Sequence, residues 1–491
     1  MPGVSLSGLT LPTFRASTVP QLRRRVRDRV RSTARSFRDP YPYALALLLF
    51  CAYTIVSVGR YRNFATMSWD LGIFEQAIRA YAHLRAPIVD IKGPGTNVLG
   101  DHFSPVTALL APAYRLLPTP VTLLVAQAAL FAISAIPVTR AASRFLGSKR
   151  GLAIGVAYGL SWGVQRAVAF DFHEIAFAVP LIAFSLEAVL MRRWRAALLW
   201  AVPLVFVKED LGLTVAAIGI LVAVRARGAS PRAVGWGVAV AGMAAVWALL
   251  VFTVVIPAFN TSDTYDYWSK VGGGGGPLDG LDTKVRTLVW LLLPTTGLLA
   301  LRSPLLIVAV PTLSWRFLSA EEHYWGTGWH YSAVLMPVVA LALVDALDRT
   351  RSSRRPWLLA YARHLPAASA AAAIALTTSL PLAALVEPDP YRTTPQAEVA
   401  VKMLARIPSG ATVEANIGPL AHLTSRCRVF WVGDTQGITP DYIALQNRAT
   451  RDPVIYAGQL HPRATYTVLD QGAGYVVLKR QPDPGSTDTG D

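Results

Sequence analysis

The sequence predicts an α-helical polytopic membrane protein with a small α/β domain near its C-terminal end. Hydrophobic residues make up 53% of the 491-residue chain and charged residues only 16%, whereas a soluble domain carries about a quarter charged residues. Apolar segments also recur from residue 42 to residue 386 and then stop. A helix needs roughly 20 such residues to cross a bilayer, so this recurrence indicates one long membrane domain followed by a polar tail.

The N-terminal segment, residues 1–40, is strongly basic. It contains nine arginines and has no apolar core resembling a signal peptide. The formal net charge of the chain is +17, and further arginines cluster between the apolar segments. That clustering is typical of cytoplasmic loops of membrane proteins. We therefore expect a cytoplasmic arm that touches membrane lipids, and no nucleic-acid partner.

The apolar segments predict about eleven transmembrane helices, counted from a cytoplasmic N-terminus. These spans are 41–60, 120–140, 151–166, 174–191, 196–208, 210–225, 233–256, 285–301, 303–318, 330–347 and 366–386. With this assignment the strongly basic loops lie inside, as the positive-inside rule requires. Those loops are 140–150, 192–195, 225–232 and 348–355.

A large first outer loop follows the first span, from Arg60 to Pro105. Within it, Asp70 follows Trp69 and precedes an amphipathic helical run, residues 71–84. A carboxylate in this position suits a helix N-cap or a catalytic base, and the residues alone leave both open. The adjoining segment 104–117 is apolar but too short to span, so we expect an interfacial helix there.

Ionisable and aromatic residues collect at the outer ends of the predicted spans, where a charge needs a partner or a water-filled cavity. The candidate substrate- or acceptor-binding residues are Trp69, Glu75, Asp101, His102, Asp171, His173, Glu174, Glu209, Asp210, His330 and Tyr331. The candidate lipid-phosphate-binding residues are the cations Arg60, Arg62, Arg166 and Lys208. Since all of these lie at one level of the predicted membrane, we expect them to line one cavity.

Several of these groups also have a purely structural interpretation. The triplet 208–210 can be a structural ion pair, and the aromatic residues within 324–331 can belong to the interfacial belt. Asp171, His173 and Glu174 are close enough in sequence to share a divalent metal such as Mg or Mn, or to form a solvated turn.

One outer loop, residues 257–284, contains five consecutive glycines, Gly272–Gly276. Glycine leaves the backbone free to adopt many conformations, so the loop is expected to be flexible. It could serve as a lid over a site or as a loose connector.

Residues 387–480 lose the apolar density and predict a small α/β domain, followed by a disordered tail at 481–491. Strands are expected at 411–415, 428–433, 441–446 and 475–480, and helices near 395–406 and 417–424. An odd number of spans from a cytoplasmic N-terminus places this domain outside the cytoplasm.

Five motifs carry a resemblance to known proteins. They are WDLGIFEQ (69–76), GDHFSP (100–105), DFHE (171–174), KED (208–210) and HYSAVLMP (330–337). Together they resemble an uncharacterised bacterial family of multi-spanning membrane proteins, related to polyprenyl-phosphate-dependent glycosyltransferases. One span followed by a large outer loop, with an acid before an amphipathic helix, also resembles the GT-C superfamily of glycosyltransferases.

The resemblance implies a GT-C-like fold in the cytoplasmic membrane. It implies an inverting hexosyl- or pentosyltransferase that moves a sugar from a polyprenyl-phosphate donor to a cell-envelope acceptor outside the cytoplasm. Asp70 matches the acid of the first outer loop that acts as general base in GT-C enzymes. The chain departs from the Asp-Asp or Asp-Glu pair of several GT-C families, because Leu71 follows Asp70. The cofactor expectation therefore stays open between none and a divalent metal.

Two other classes of function remain open from the sequence. One is a lipid or glycan transporter or flippase, which should place ionisable groups at mid-span and often has repeated halves. In this sequence the ionisable groups lie mostly at one face, and no repeat is evident. The other is a non-catalytic membrane scaffold whose outer domain binds partners.

Overall fold

Helices dominate the chain, and a small sheet follows them. The computed structural model describes residues 39–267, 278–446 and 452–482. Its α-helices are Tyr41–Arg62, Trp69–Ala82, Ala111–Leu116, Pro120–Leu146, Ser148–Gly159, Trp162–Phe170, Ile175–Leu190, Trp194–Ala201, Leu211–Ala226, Pro231–Leu250, Ile256–Phe259, Leu281–Thr296, Val310–Leu318, Glu322–Trp325, Met336–Thr350, Pro356–Thr377, Pro395–Leu404 and Pro453–Leu460. Most of the basic arm, most of the C-terminal tail and the five glycines at 272–276 lie outside the described residues.

Eleven full-length spans are not confirmed. Among the described residues, three helices are long and apolar enough to cross a membrane, namely Tyr41–Arg62, Pro120–Leu146 and Pro231–Phe259. Other apolar segments are divided by helix breaks, which the pattern of apolar residues does not predict. The predicted span 285–301 ends early because Gly297 adopts a left-handed conformation, with φ of 51°. The predicted span 303–318 starts as a 3-10 helix, Pro304–Ala309, before its α-helical part.

The long loop after the first helix contains the expected amphipathic helix, Trp69–Ala82, which we call the loop helix. One side of it packs in a core with the membrane helix Pro120–Leu146, through Leu71, Phe74 and Leu123. The segment expected to be interfacial forms a 3-10 helix, Pro105–Leu110, followed by one short α-helix. The loop helix is thereby held against the membrane part of the protein.

Five strands in the described C-terminal region form one mixed sheet. They are β1 (Thr412–Ala415), β2 (Arg428–Trp431), β3 (Tyr442–Gln446), β4 (Tyr466–Gly472) and β5 (Tyr475–Arg480), in the order β2-β1-β3-β5-β4. Strand β1 is parallel to β2 and β3, whereas β5 is antiparallel to β3 and β4. Four of these strands confirm sequence predictions, and β4 was not predicted.

The predicted helices of this region have different outcomes. The helix expected near 395–406 is present as Pro395–Leu404. The helix expected at 417–424 is reduced to a single 3-10 turn, Leu420–His422. The domain boundaries predicted at residues 386 and 480 remain predictions.

The sheet packs on the loop helix. Ile73 and Ala77 of the loop helix share a core with Val413 and Val429 of the sheet. Arg79 donates hydrogen bonds to the carbonyl oxygens of Thr424 and Cys427, each at 2.9 Å. The loop helix therefore has the membrane part on one side and the sheet on the other.

A buried carboxylate joins the two sides. Glu75 has no exposed surface. Tyr114 of the short α-helix donates its hydroxyl to Glu75 Oε1 at 2.8 Å, and the Thr424 hydroxyl donates to the other oxygen. Burial raises the pKa of Glu75 to about 8, although the two hydrogen bonds act in the opposite direction. Glu75 is therefore protonated in the folded protein at neutral pH.

This pKa predicts how stability depends on pH. Above pH 4.5, the ordinary value, the unfolded chain releases the Glu75 proton while the folded protein keeps it up to about pH 8. Stability should therefore fall as pH rises through this window, and then level off. Glu75→Gln should remove this fall, measured as thermal unfolding in detergent from pH 5 to pH 9. The same substitution at the exposed Glu398 should follow the wild-type profile, and an identical profile for both variants would contradict the role of Glu75.

Candidate active site

A cavity of about 1120 Å³ lies beside the first turn of the loop helix. It brings together most of the predicted site residues, namely Trp69, Asp70, Asp101, His102, His173, Lys208, Glu209, Asp210, His330 and Tyr331. Its lining does not include Glu75, Asp171, Glu174, Arg60, Arg62 or Arg166. The ten lining residues come from five separate stretches of the sequence and meet at one place in the folded chain.

A buried ion pair forms the floor of this cavity. Lys208 donates a hydrogen bond from Nζ to Glu174 Oε1 at 2.9 Å, and Glu174 is fully buried. Nδ1 of His173 lies 2.5 Å from the other Glu174 oxygen. Lys208 belongs to the turn before the helix Leu211–Ala226, and Glu174 directly precedes the helix Ile175–Leu190. The pair therefore joins the ends of two apolar helices.

A second polar cluster lies next to the first. Nδ1 of His102 is 2.8 Å from Glu209 Oε1, and the Tyr265 hydroxyl donates to the same oxygen at 3.1 Å. Burial and Lys208 lower the pKa of the His102 imidazole, but Glu209 and Asp101 raise it more, so that the pKa lies above its ordinary value. His102 is thereby favoured as a cation that balances Glu209.

Lys92 and Asp101 form a third pair on the cavity wall, with 3.2 Å between Nζ and Oδ2. Burial raises the pKa of Asp101, but His102 and Lys92 lower it more, and the net pKa lies below the ordinary value. Asp101 is therefore an anion whose charge its neighbours already balance.

Asp70 lies in the first turn of the loop helix and faces the cavity. The helix is capped by a different carboxylate, because Asp171 Oδ2 accepts the backbone N–H of Leu71 at 3.1 Å. Among the residues that the structure describes, none donates a hydrogen bond to the Asp70 carboxylate. Burial raises the pKa of Asp70, with Glu174 acting in the same direction and His173 and Lys208 in the other. Asp70 is thus available for contact with a molecule in the cavity.

Three of the four predicted phosphate-binding cations lie outside the cavity lining. Arg60 donates Nε to the carbonyl oxygen of Ala169 at 2.8 Å, so it fixes the loop to a neighbouring helix. Arg62 and Arg166 are exposed. Lys208 is the member of this set that lines the cavity.

The predicted metal ligands do not converge as a set. Asp171 caps the loop helix and Glu174 pairs with Lys208, so both carboxylates are already used. A different group does converge, because ligand atoms of Asp70, His173 and His330 all lie within 4.8 Å of one another.

Aromatic side chains form much of the remaining wall, among them Tyr265, Tyr267, Trp315, Tyr324, Trp329 and Trp431. Trp431 belongs to β2 and meets Trp69 edge to face, with 4.5 Å between the ring centroids. The C-terminal sheet therefore contributes to the cavity, which the sequence did not indicate.

Arg316 is a further residue that the sequence analysis missed. It has no exposed surface and donates to the carbonyl oxygens of Tyr324 and Gly326, at 2.8 and 2.7 Å, and to the Ser332 hydroxyl at 3.1 Å. These bonds hold the aromatic loop 321–331 over the cavity. The signal was an arginine inside an apolar segment, which requires polar partners in the fold.

Comparison with protein families identifies the group to which the chain is related. The model of a family described as predicted membrane protein (DUF2079) matches residues 60–477, which is most of the chain. The chain belongs to this family. No curated protein matches the sequence. The resemblance to a family of multi-spanning membrane proteins is thereby confirmed, as is a location in a membrane.

Solved structures of ArnT from Cupriavidus metallidurans have a similar fold. The structure bound to undecaprenyl phosphate has a TM-score of 0.52 and 13% identity, over 86% of this chain and 97% of that chain. The structure in the apo state has a TM-score of 0.49 and 12% identity, over 83% of this chain and 92% of that chain. The first likeness shows that this DUF2079 protein has the fold of ArnT.

The buried ion pair on the cavity floor gives a prediction for stability. Lys208→Met should lower the free energy of unfolding by about 3 kcal/mol, because it leaves the buried Glu174 without its partner. Adding Glu174→Gln should restore much of this loss, since it removes the buried charge that lost its partner. Chemical unfolding in detergent measures both variants. Arg392→Met, which breaks an exposed ion pair with Asp389, is the control and should unfold like the wild type.

If Lys208→Met alone unfolds like the wild type, the pair contributes nothing to stability, and the floor of the cavity is held by other contacts.

Proposed function

We propose that this protein transfers a sugar from a polyprenyl-phosphate carrier to an acceptor outside the cytoplasm, with Asp70 as general base. The observation that carries the proposal is one cavity lined by apolar side chains, by two lysines and by Asp70, a carboxylate to which none of the described residues donates a hydrogen bond. Such a site suits a reaction between a lipid-linked donor and a polar acceptor.

The apolar wall supports a polyprenyl carrier. Leu213 and Ile220 of the helix Leu211–Ala226 line the cavity together with Ile307 and Val310. Each of these four side chains is more than two-fifths exposed in the absence of lipid. A polyprenyl chain is itself apolar, so it could lie along this wall without burying a polar group. ArnT, bound to undecaprenyl phosphate, shares the fold.

The carrier phosphate would lie at the charged floor. Lys208 is the predicted phosphate ligand that lines the cavity, and Lys92 lies on the same wall. Each lysine already has one carboxylate partner, but an ammonium group has three donors, so both retain donors for phosphate oxygens. Arg60, Arg62 and Arg166 are more distant from the reaction in this proposal.

The reaction follows from the position of Asp70. Its carboxylate would take the proton from the acceptor hydroxyl as that oxygen attacks the anomeric carbon. The bond between this carbon and the phosphate oxygen breaks, and the phosphate leaves with the electron pair towards Lys208 and Lys92. Attack opposite the leaving group inverts the anomeric configuration.

The acceptor would be bound by the polar and aromatic wall. Trp69, Asp101, His102, Glu209, Asp210 and Tyr331 line it and offer donors, acceptors and ring faces for a sugar or another hydroxyl compound. Trp431 of the sheet adds a further ring. Glu75, Asp171 and Glu174 would act indirectly, by holding the loop helix and Lys208 in place.

The proposed orientation places the cavity at the outer face of the cytoplasmic membrane, with the N-terminal arm inside and the C-terminal domain outside. The distribution of arginines supports it. The packing of the sheet on the first outer loop also supports one common side for both, because Arg428 and Asp90 form a two-pronged ion pair at 2.8 and 2.9 Å.

The test is turnover of a panel of polyprenyl-phosphate sugars by the purified protein. Asp70→Asn should lower turnover by about 10²–10⁴-fold, the usual effect of removing a general base. Carrier binding, measured separately with polyprenyl phosphate, should be retained. Asp348→Asn, at a partly exposed site that does not line the cavity, should be as active as the wild type. Equal turnover in Asp70→Asn and the wild type would exclude Asp70 as the base.

A further inference from the structure

Asp70, His173 and His330 meet in the cavity from three distant parts of the chain. Asp70 comes from the loop helix, His173 from the turn before the helix Ile175–Leu190, and His330 from the aromatic loop. Their carboxylate and imidazole ligand atoms lie within 4.8 Å of one another. Bonds of about 2.0–2.2 Å to an ion place two ligand atoms roughly 3–4 Å apart, so side-chain shifts of about 1 Å would close this set.

His330 gives an independent indication of a ligand. Its side chain is 3% exposed, and neither ring nitrogen has a hydrogen-bond partner among the described residues. A buried polar group without a partner is costly, and native proteins rarely leave one. The ring lines the cavity and stacks on His173 with 3.6 Å between centroids. A nitrogen lone pair lies in the plane of its ring, so the two rings would turn out of this stack to share a cation, which would then satisfy a nitrogen of each.

His173 has a carboxylate close to one ring nitrogen, as metal-bound histidines usually do. Its Nδ1 lies 2.5 Å from a carboxylate oxygen of Glu174, which leaves Nε2 for an ion. A carboxylate on the second nitrogen fixes the ring and makes the ligand more basic. Glu174 is in turn held by Lys208 at 2.9 Å. This chain of contacts sets the direction of the His173 ring.

The backbone next to two of the three residues is strained. Ser68, two residues before Asp70, and Trp329, directly before His330, both have φ of 63°. Residues other than glycine rarely adopt this left-handed backbone conformation, and those that do concentrate at functional sites. The strain accompanies the placement of Asp70 and His330 in the cavity.

We propose that Asp70, His173 and His330 bind one divalent transition-metal ion of the Zn²⁺ class. Two imidazoles and one carboxylate suit such an ion better than Mg²⁺, which prefers oxygen ligands. This set replaces Asp171, His173 and Glu174 as the metal candidate. Three protein ligands leave at least one coordination position open, as at catalytic rather than structural sites.

The role of the ion rests on the proposed glycosyl transfer. Asp70, His173 and His330 all line the cavity, so an oxygen of the carrier phosphate or of the acceptor would be able to take the open position. A carboxylate has two oxygens, and Asp70 can bind the ion with one and receive the acceptor proton with the other.

Metal binding is tested directly with Co²⁺, whose visible absorption reports nitrogen ligands. The full-length protein, without a polyhistidine tag, is purified in detergent, stripped with a chelator and titrated with Co²⁺, then with Zn²⁺ as competitor. We expect one Co²⁺ per chain, displaced by Zn²⁺. His330→Gln and His173→Gln should each weaken Co²⁺ binding by about 100-fold or more, since loss of an outer-shell partner alone costs about 10–100-fold. His102→Gln, which alters a cavity histidine outside the set, should bind like the wild type.

Several results would overturn the proposal: no Co²⁺ binding by the wild type, binding that survives both His330→Gln and His173→Gln, or equal loss in His102→Gln. Gel filtration checks that each variant is folded, and Asp70→Asn replaces either histidine variant that is not. The Co²⁺ titration contains no sugar donor, so its result does not depend on glycosyl transfer. Co²⁺ binding in this titration, together with no turnover in the separate donor assay, would reject glycosyl transfer and retain the metal site. Turnover by a protein that binds no Co²⁺ would support glycosyl transfer and reject the metal site.

Discussion

The buried ion pair between Lys208 and Glu174 is the interaction on which the cavity depends. Either charge alone at the end of an apolar helix would be very costly, so the ends of the two helices must meet. Glu174 also orients His173, and the turn that holds Lys208 places Glu209 next to His102. The polar floor therefore forms as one network, and its position among apolar helices follows from the need to pair these charges.

The loop helix extends this network to the C-terminal sheet. One face carries Leu71 and Phe74 against the membrane part, and the other carries Ile73 and Ala77 against the sheet. Gly72 lies between them where space is short, because a Cβ there would come within 2.9 Å of Leu420. The sheet is thus a wall of the cavity, and the match to the membrane-protein family accordingly continues to residue 477.

The sequence predicted what depends on composition and short motifs. Apolar segments, the loop helix, four strands and ten of the residues that line the cavity were all expected. Helix breaks were not, because left-handed glycines and 3-10 turns leave the apolar pattern unchanged. Strand β4 was missed since it lies at the sheet edge with much of its surface exposed, and its hairpin turn at Ala473 and Gly474 was not recognised. Trp431 reaches the cavity through a contact with the distant Trp69 that no local pattern reveals.

The structure separates two roles that the sequence left together at Asp70. The loop helix is capped by Asp171, which lies in the turn between the helices Trp162–Phe170 and Ile175–Leu190 and accepts the N–H of Leu71. Because that bond uses the positive end of the loop helix, Asp70 need not turn back onto its own backbone. Its carboxylate instead lies near His173 and His330. In the proposed reaction this division matters, because a base or metal ligand must keep its oxygens free of the helix that presents it.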